Sequence, residues 1–316
     1  MLTALTFQDK RLVQTPLQED EPLPSDVVWV DLVNPSAAER VRVREAFDQA
    51  LPTPEEVEEI EATSRFFKDA DGLHIHSYFL HDFEDTPVNV TVAFTLNGGR
   101  LFTLRDQELA TFRMLRLQAR RQPGMLYDAV SILLSLFAAK TDRLADILEE
   151  VYQALETASS AILARETNSD IPGALARLAE HEDLNGKARL SLMDTQRALS
   201  FILRSESLGK DHRSLARDML RDIESLLPHT AFLFDKINFL MDGLMGLVNI
   251  EQNQIIKIFS IAAVVFLPPT LVASIYGMNF HYMPELTWPW GYPFAVVLMI
   301  LSGIAPYWYF KRKGWL

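Results

Sequence analysis

The 316-residue sequence predicts an α-helical membrane protein with a mixed α/β soluble body. A long helix continues from that body into the first of two spans. Three observations carry this. Ile258 to Tyr276 is 19 residues without a charge, and Gly291 to Phe310 is 20; each is close to the ~20 residues that cross a hydrocarbon core. Residues 1–254 hold 41 acidic and 26 basic side chains, whereas 255–316 hold one acid, Glu285, and four bases. Strand-like runs give way at about Met125 to long stretches rich in Leu, Ala, Glu and Arg.

The elements follow in order. The start, MLTALTFQDK, lacks a basic region followed by an apolar core, so no leader is read. Residues 1–125 read as a cytoplasmic α/β domain. VVWVDLV (27–33), LHIHSYFL (73–80), NVTVAFTL (89–96) and RLFTLR (100–105) are β-branched and aromatic. NGG at 97–99 reads as a hairpin turn. Pro35 and Ser36 open a helix over AAERVRVREAFDQA, and PEEVEEIEA (54–62) reads as a second. Residues 126–254 read as helical and stalk region, with helices over 125–166 and 173–206 around a break at NSDIPG. A third helix starts near Ser214 and meets no strong stop before Gly277. Pro228 is expected to kink or break it. If continuous, its ~60 residues would span ~90 Å, too long for one small domain, so it reads as a stalk.

The first span is placed at 255–276, an external loop at 277–290, the second span at 291–310 and a basic tail at 311–316. Lys257 precedes the first span and Lys311, Arg312 and Lys313 follow the second, while the loop has no Lys or Arg. Positive charge marks the outer flanks and both termini as cytoplasmic. Tyr282, Trp288, Trp290 and Tyr292 form one aromatic belt, and Tyr307, Trp308, Tyr309 and Trp315 the other.

The acidic body argues against nucleic acid and fits multivalent cations, although a solvated acidic surface explains most of these charges too. With no cysteine, disulfides and thiolate metal sites are excluded. His74 and His76 lie two apart on a strand and face one side, as half a zinc site or as a structural pair. No nucleophile elbow, P-loop or dinucleotide fingerprint appears, so no enzyme is read.

The long helix carries a seam of period 3.5. One series is Asp242, Asn249, Ile256, Ala263, Thr270 and Gly277; its companion is Gly246, Asn253, Ser260, Leu267 and Ser274. The seam is small or polar, with Ile256 and Leu267 as bulky exceptions. Small residues let membrane helices pack closely. The rival reading is a water-lined pore. Two spans cannot enclose one, so several copies related by rotation would each line it with the first span. Pro268 and Pro269 free the carbonyls of Val264 and Val265, a mild argument for a wet interior.

YGMNF (276–280) followed by MPEL (283–286) resembles the signature of the CorA family of bacterial magnesium channels. The likeness runs through IEQNQIIKIFSIAAVVFLPPTLVAS, GYP and YFKRKGWL, and upstream through VVWVDLV, LHIHSYF, LMDTQRAL and RDIESLLPH. It covers nearly the whole chain and is strongest with the enterobacterial-type branch. GMN alone also occurs in zinc-transporting relatives. The resemblance implies a funnel-shaped homopentamer in the bacterial inner membrane, conducting Mg²⁺, with Co²⁺ and Ni²⁺ as further cations. It implies ion entry at Tyr276, Gly277, Met278, Asn279 and Glu285, a pore lined by the seam, and closure by cytoplasmic Mg²⁺. No cofactor beyond that ion is expected. Glu59 matches an acidic sensor position where the family usually has Asp, and Asp218 matches its partner across the interface; Glu55, Glu56, Glu58 and Asp222 could share the site.

The charge-free turn then makes physical sense. Mg²⁺ keeps several waters, and conduction needs binding that is favourable yet weak. A ring of Asn279 oxygens can accept hydrogen bonds from the water shell without stripping it. Gly277 and Asn279 would also tolerate a left-handed turn at the helix end. Two alternatives stay open: a zinc transporter of the same fold, and a scaffold that uses the two helices only as an anchor.

Overall fold

The computed structural model describes residues 1–15, 22–58, 65–83, 86–163, 170–205 and 208–314. It divides into two compact units, Met1–Met241 and Asp242–Leu316.

The first unit begins with strands β1 (Leu2–Gln8), β2 (Arg11–Thr15) and β3 (Trp29–Val33). Helices α1 (Ala37–Phe47) and α2 (Pro54–Glu58) follow. Next come β4 (Phe66–Asp69), β5 (Gly72–Phe83), β6 (Thr86–Asn97) and β7 (Arg100–Arg105). Helices α3 (Ala110–Arg121), α4 (Ala129–Leu163), α5 (Ile171–Leu203) and α6 (Lys210–Tyr276) complete it, with α6 running on into the second unit. The strands form one sheet in the order β2-β1-β3-β7-β6-β5-β4, in which only β3 and β7 pair in parallel.

Alternation along the strands separates two cores. Val30, Leu32, Ala93, Phe102 and Leu104 face α1 and α2 and pack with Val43 and Val57. On the other face Phe79 and Phe94 meet Phe112 of α3 and Phe137 of α4, with ring centroids 5.5–6.3 Å apart. Several buried polar groups are paired across the sheet. Trp29 donates its indole N–H to Thr103 Oγ1 at 2.9 Å, and the Thr103 hydroxyl donates to Asp31 Oδ1 at 2.7 Å. Arg105 and Arg116 close on the same carboxylate.

A second buried network ties the sheet to the helices. Asp194 of α5 accepts from Ser77 Oγ at 2.5 Å and from the Tyr78 amide at 2.9 Å. Arg65 lies 3.2 Å from the same carboxylate, and Lys140 of α4 donates to Ser77 Oγ at 3.0 Å.

The structure departs from expectation at the β1–β2 hairpin, at β4, at α3 and at Pro228. β1 and β2, the short strand β4 and helix α3 are additions to the elements read from the sequence. Asp9 and Lys10 take positive φ (49° and 61°) in the β1–β2 turn, without the glycine that usually announces such a hairpin. Pro228 does not break α6. Asn185 of α5 donates to the Thr230 carbonyl at 3.0 Å, and the Thr230 hydroxyl donates to the Leu227 carbonyl at 2.7 Å. Thr230 is fully buried, so packing holds the helix across the proline.

The second unit contains the end of α6, a 3-10 turn (Pro284–Thr287) and α7 (Gly291–Arg312). Both α6 and α7 are long and apolar enough to cross a membrane.

Candidate functional site

Along the apolar end of α6, positions 261, 265, 268, 272 and 276 are partly covered, and they share one face. α7 presents positions 295, 299, 302, 303 and 306, where Ala295 and Gly303 are buried. The two helices meet at Gly303: a Cβ there would lie 3.3 Å from Pro269 Cγ and 3.4 Å from the Val265 carbonyl oxygen.

The seam lies elsewhere. Asp242, Asn249, Asn253, Ile256, Ser260, Ala263, Leu267, Thr270 and Ser274 are all exposed in the chain. Each of Ala263, Leu267, Thr270 and Ser274 follows a covered position by two residues, about 200° around the axis. Packing against α7 therefore does not account for the small residues of the seam. The freed Val265 carbonyl faces Gly303. Thr270 turns its hydroxyl back to the Phe266 carbonyl at 2.7 Å.

At the end of α6, Gly277 donates its N–H to Ala273 O at 2.9 Å and Met278 to Ile275 O at 3.3 Å. Neither Gly277 nor Asn279 has positive φ, so the expected left-handed turn is absent. The glycine has another reason: a Cβ at 277 would stand 3.1 Å from the Ala273 carbonyl. Tyr276 is partly covered, and Gly277, Met278, Asn279 and Glu285 are exposed. The Glu285 carbonyl sits where a Cβ on Gly291 would fall, so that glycine lets the loop close onto α7.

The acidic residues expected to form a sensor are spread over α2 and α6. Glu59 lies outside the described residues. Asp218 pairs with Arg221 at 2.8 Å on the exposed face of α6. Glu55 is exposed. Glu56 caps its own helix: its carboxylate accepts from the Thr53 amide at 2.7 Å, and the Thr53 hydroxyl accepts from its amide. Asp222 has neighbours that the sequence reading missed. The Asp142 carboxyl is raised above its usual range by burial first, then by Asp146 and Asp222. Asp142 and Asp146 are spaced i,i+4 on α4, a pattern visible in the sequence, but their meeting with α6 is a tertiary fact. Among the described residues, no three His, Asp or Glu side chains form a group able to hold a metal.

His74 is engaged at both ring nitrogens, with Thr95 Oγ1 at 3.0 Å and Asp69 Oδ1 at 2.9 Å. Burial, then Arg65 and His74, push His76 down to about 4. The pair is structural.

The fold and these surfaces define a class: a two-span α-helical membrane protein with a large soluble α/β unit. Comparison with known proteins gives the family. Residues 24–312 match the family model described as CorA-like Mg²⁺ transporter protein. The chain is 53% identical over the full length of both chains to "Magnesium transport protein CorA" of Escherichia coli. It is 54% identical, again over both full lengths, to the protein of that name from Salmonella typhimurium. The complete structure of the CorA magnesium transporter from Methanocaldococcus jannaschii superposes with a TM-score of 0.79. That match covers 100% of this chain and 99% of the other at 21% identity. The chain belongs to the CorA family, a family of transporters and not of enzymes.

Proposed function

We propose that the chain assembles as a homopentamer in the bacterial inner membrane, both termini cytoplasmic, and conducts hydrated Mg²⁺ down its electrochemical gradient. Co²⁺ and Ni²⁺ follow the same path. The observation that carries this reading is the exposed seam on α6, opposite the face covered by α7 and ending at the GMN turn. Five such seams around an axis make a wet path, with Asn279 and Glu285 at its outer mouth and Asn253, Asn249 and Asp242 at its inner end. The 53% identity to a magnesium transport protein supports the choice of ion.

Two charges moving inward gain ~4.6 kcal/mol per 100 mV. That permits more than ~10³-fold accumulation, so an ungated path would overload the cell. Cytoplasmic Mg²⁺ bridging Glu59 and Asp218 across copies, with Asp222 beside them, closes the ring. No other cofactor enters the mechanism.

The test is the mass of the detergent-solubilised assembly, followed by flux into liposomes with Mg²⁺ and Zn²⁺ offered separately. A monomer, or an assembled protein that passes neither ion, overturns the reading. Zn²⁺ flux without Mg²⁺ flux transfers it to a zinc transporter of the same fold.

A further inference from the structure

The contact between Gly303 and the proline pair on α6 has no role in the ion path as described. Pro268 and Pro269 lack N–H groups, so the carbonyls of Val264 and Val265 lose their partners one turn later. The α6 ladder is weakest there, between the segment that bears the GMN turn and the segment that bears Ile256. α7, though continuous, also carries a proline one turn beyond Gly303. Pro306 removes the donor for the Ser302 carbonyl, and Ser302 Oγ bonds Met299 O at 2.8 Å. The residue that brings the two weakened segments together is Gly303. It is buried, and a methyl group there would crowd the Pro269 ring at 3.3 Å, with the Val265 carbonyl oxygen at contact distance, 3.4 Å. A glycine inside a helix costs about 1 kcal/mol relative to alanine, so this position is worth holding only if the close approach matters.

We infer that Gly303 is a positioning residue: it seats Pro269 so that α7 sets the angle at which α6 bends at its proline pair. Gly303 itself touches no ion and lies on a helix that does not carry the seam. Bending at 268–269 changes how far the Ile256 level moves relative to the GMN turn. A side chain at 303 therefore shifts the balance between conducting and closed rings rather than blocking the path. The inference rests on the channel reading above.

The experiment is a double-mutant cycle on the full-length protein in liposomes. It reads the internal Mg²⁺ concentration that halves the current, together with assembly mass. Gly303→Ala is expected to shift that concentration by at least about threefold, within the range by which residues remote from both ligands alter coupling. Pro269→Ala removes the Cγ that the new methyl meets. In that background Gly303→Ala should shift the half-inhibiting concentration by less than about twofold. No shift in the otherwise native protein, or equal shifts in both backgrounds, overturns the inference and leaves the channel reading intact. If Gly303→Ala does not assemble, recovery of assembly with Pro269→Ala supports the contact, and continued failure overturns it. An assembled native protein that passes no ion overturns the channel reading, and this inference with it.

Discussion

Val265 and Leu267 stand on opposite sides of α6. Their separation of two residues is about 200° around the axis. Val265 is partly covered and its carbonyl meets Gly303, whereas Leu267 is 66% exposed in the chain. Leu267 and Ile256, 53% exposed, are the bulky members of the seam, so in the proposed ring either would form an apolar narrowing able to gate by dewetting. Leu267→Ser should raise the leak at saturating internal Mg²⁺ by about tenfold, the factor that ~1.4 kcal/mol gives. Single-channel or bulk current in the closed condition is the measurement, and an unchanged closed current removes Leu267 from the gate.

Asn279→Ala should cut uptake at least about a hundredfold, about 2.8 kcal/mol of ion stabilisation at the mouth. The assembly should keep its mass, because Asn279 is exposed and the helix end is held by backbone bonds from Gly277 and Met278. Liposome flux near the native rate would take Asn279 out of the mechanism.

Lys140 gives a pH signature. Burial pushes its ammonium down to about 8, opposed by Asp194 and reinforced by Arg65. The folded state thus releases this proton before the unfolded state does. Between about pH 8 and 10.5 the unfolded chain binds more protons, so this group makes stability rise with pH. The total is roughly 3 kcal/mol at ~1.4 kcal/mol per unit. Lys140→Met should abolish that rise while Arg65 still pairs with Asp194. Denaturant unfolding of the native and variant proteins across this window decides it; parallel slopes would mean that Lys140 does not titrate there.

Features set by local pattern were legible in the sequence, and features set by distant partners were not. The heptad seam and the two spans follow from spacing alone. The helix start at Pro35 and Ser36 was announced by its residues, and the structure closes it with a capping box between Ser36 and Glu39. The β1–β2 hairpin escaped because Asp9 and Lys10 adopt a turn that Asn or Gly normally marks. The continuity of α6 through Pro228 has no local signal, and the Asn185 bond to the Thr230 carbonyl beside it comes from 45 residues away. The acidic pair on α4 became relevant only when folding brought it beside Asp222. Gly303 carries no local signal, because its importance lies in its approach to Pro269 on another helix.

In one chain Asp218 pairs with Arg221, whereas the charges of Asp146 and Asp222 help to raise the Asp142 carboxyl. Five copies of such a face repel one another when empty, and Mg²⁺ bridging them would hold the ring shut. Loss of internal Mg²⁺ would loosen the interfaces and let α6 move, a population shift driven by differential ion affinity. Replacing Glu59 and Asp218 by neutral residues removes the bridging ion but also some repulsion. The first effect predicts lost inhibition; the second predicts a ring that closes without Mg²⁺. Lost inhibition is the expected outcome, because Asp142, Asp146 and Asp222 keep the face acidic. The half-inhibiting Mg²⁺ concentration should rise at least about tenfold, the factor that losing ~1.4 kcal/mol of ion binding gives. Adding Asp142→Asn and Asp222→Asn removes that remaining repulsion, and the ring should then close at low Mg²⁺. Protease resistance of α6 and channel current, each titrated with internal Mg²⁺, read both effects. Half-protection and half-inhibition at the native concentrations in the Glu59 and Asp218 double variant would make those two residues surface charges and not the sensor.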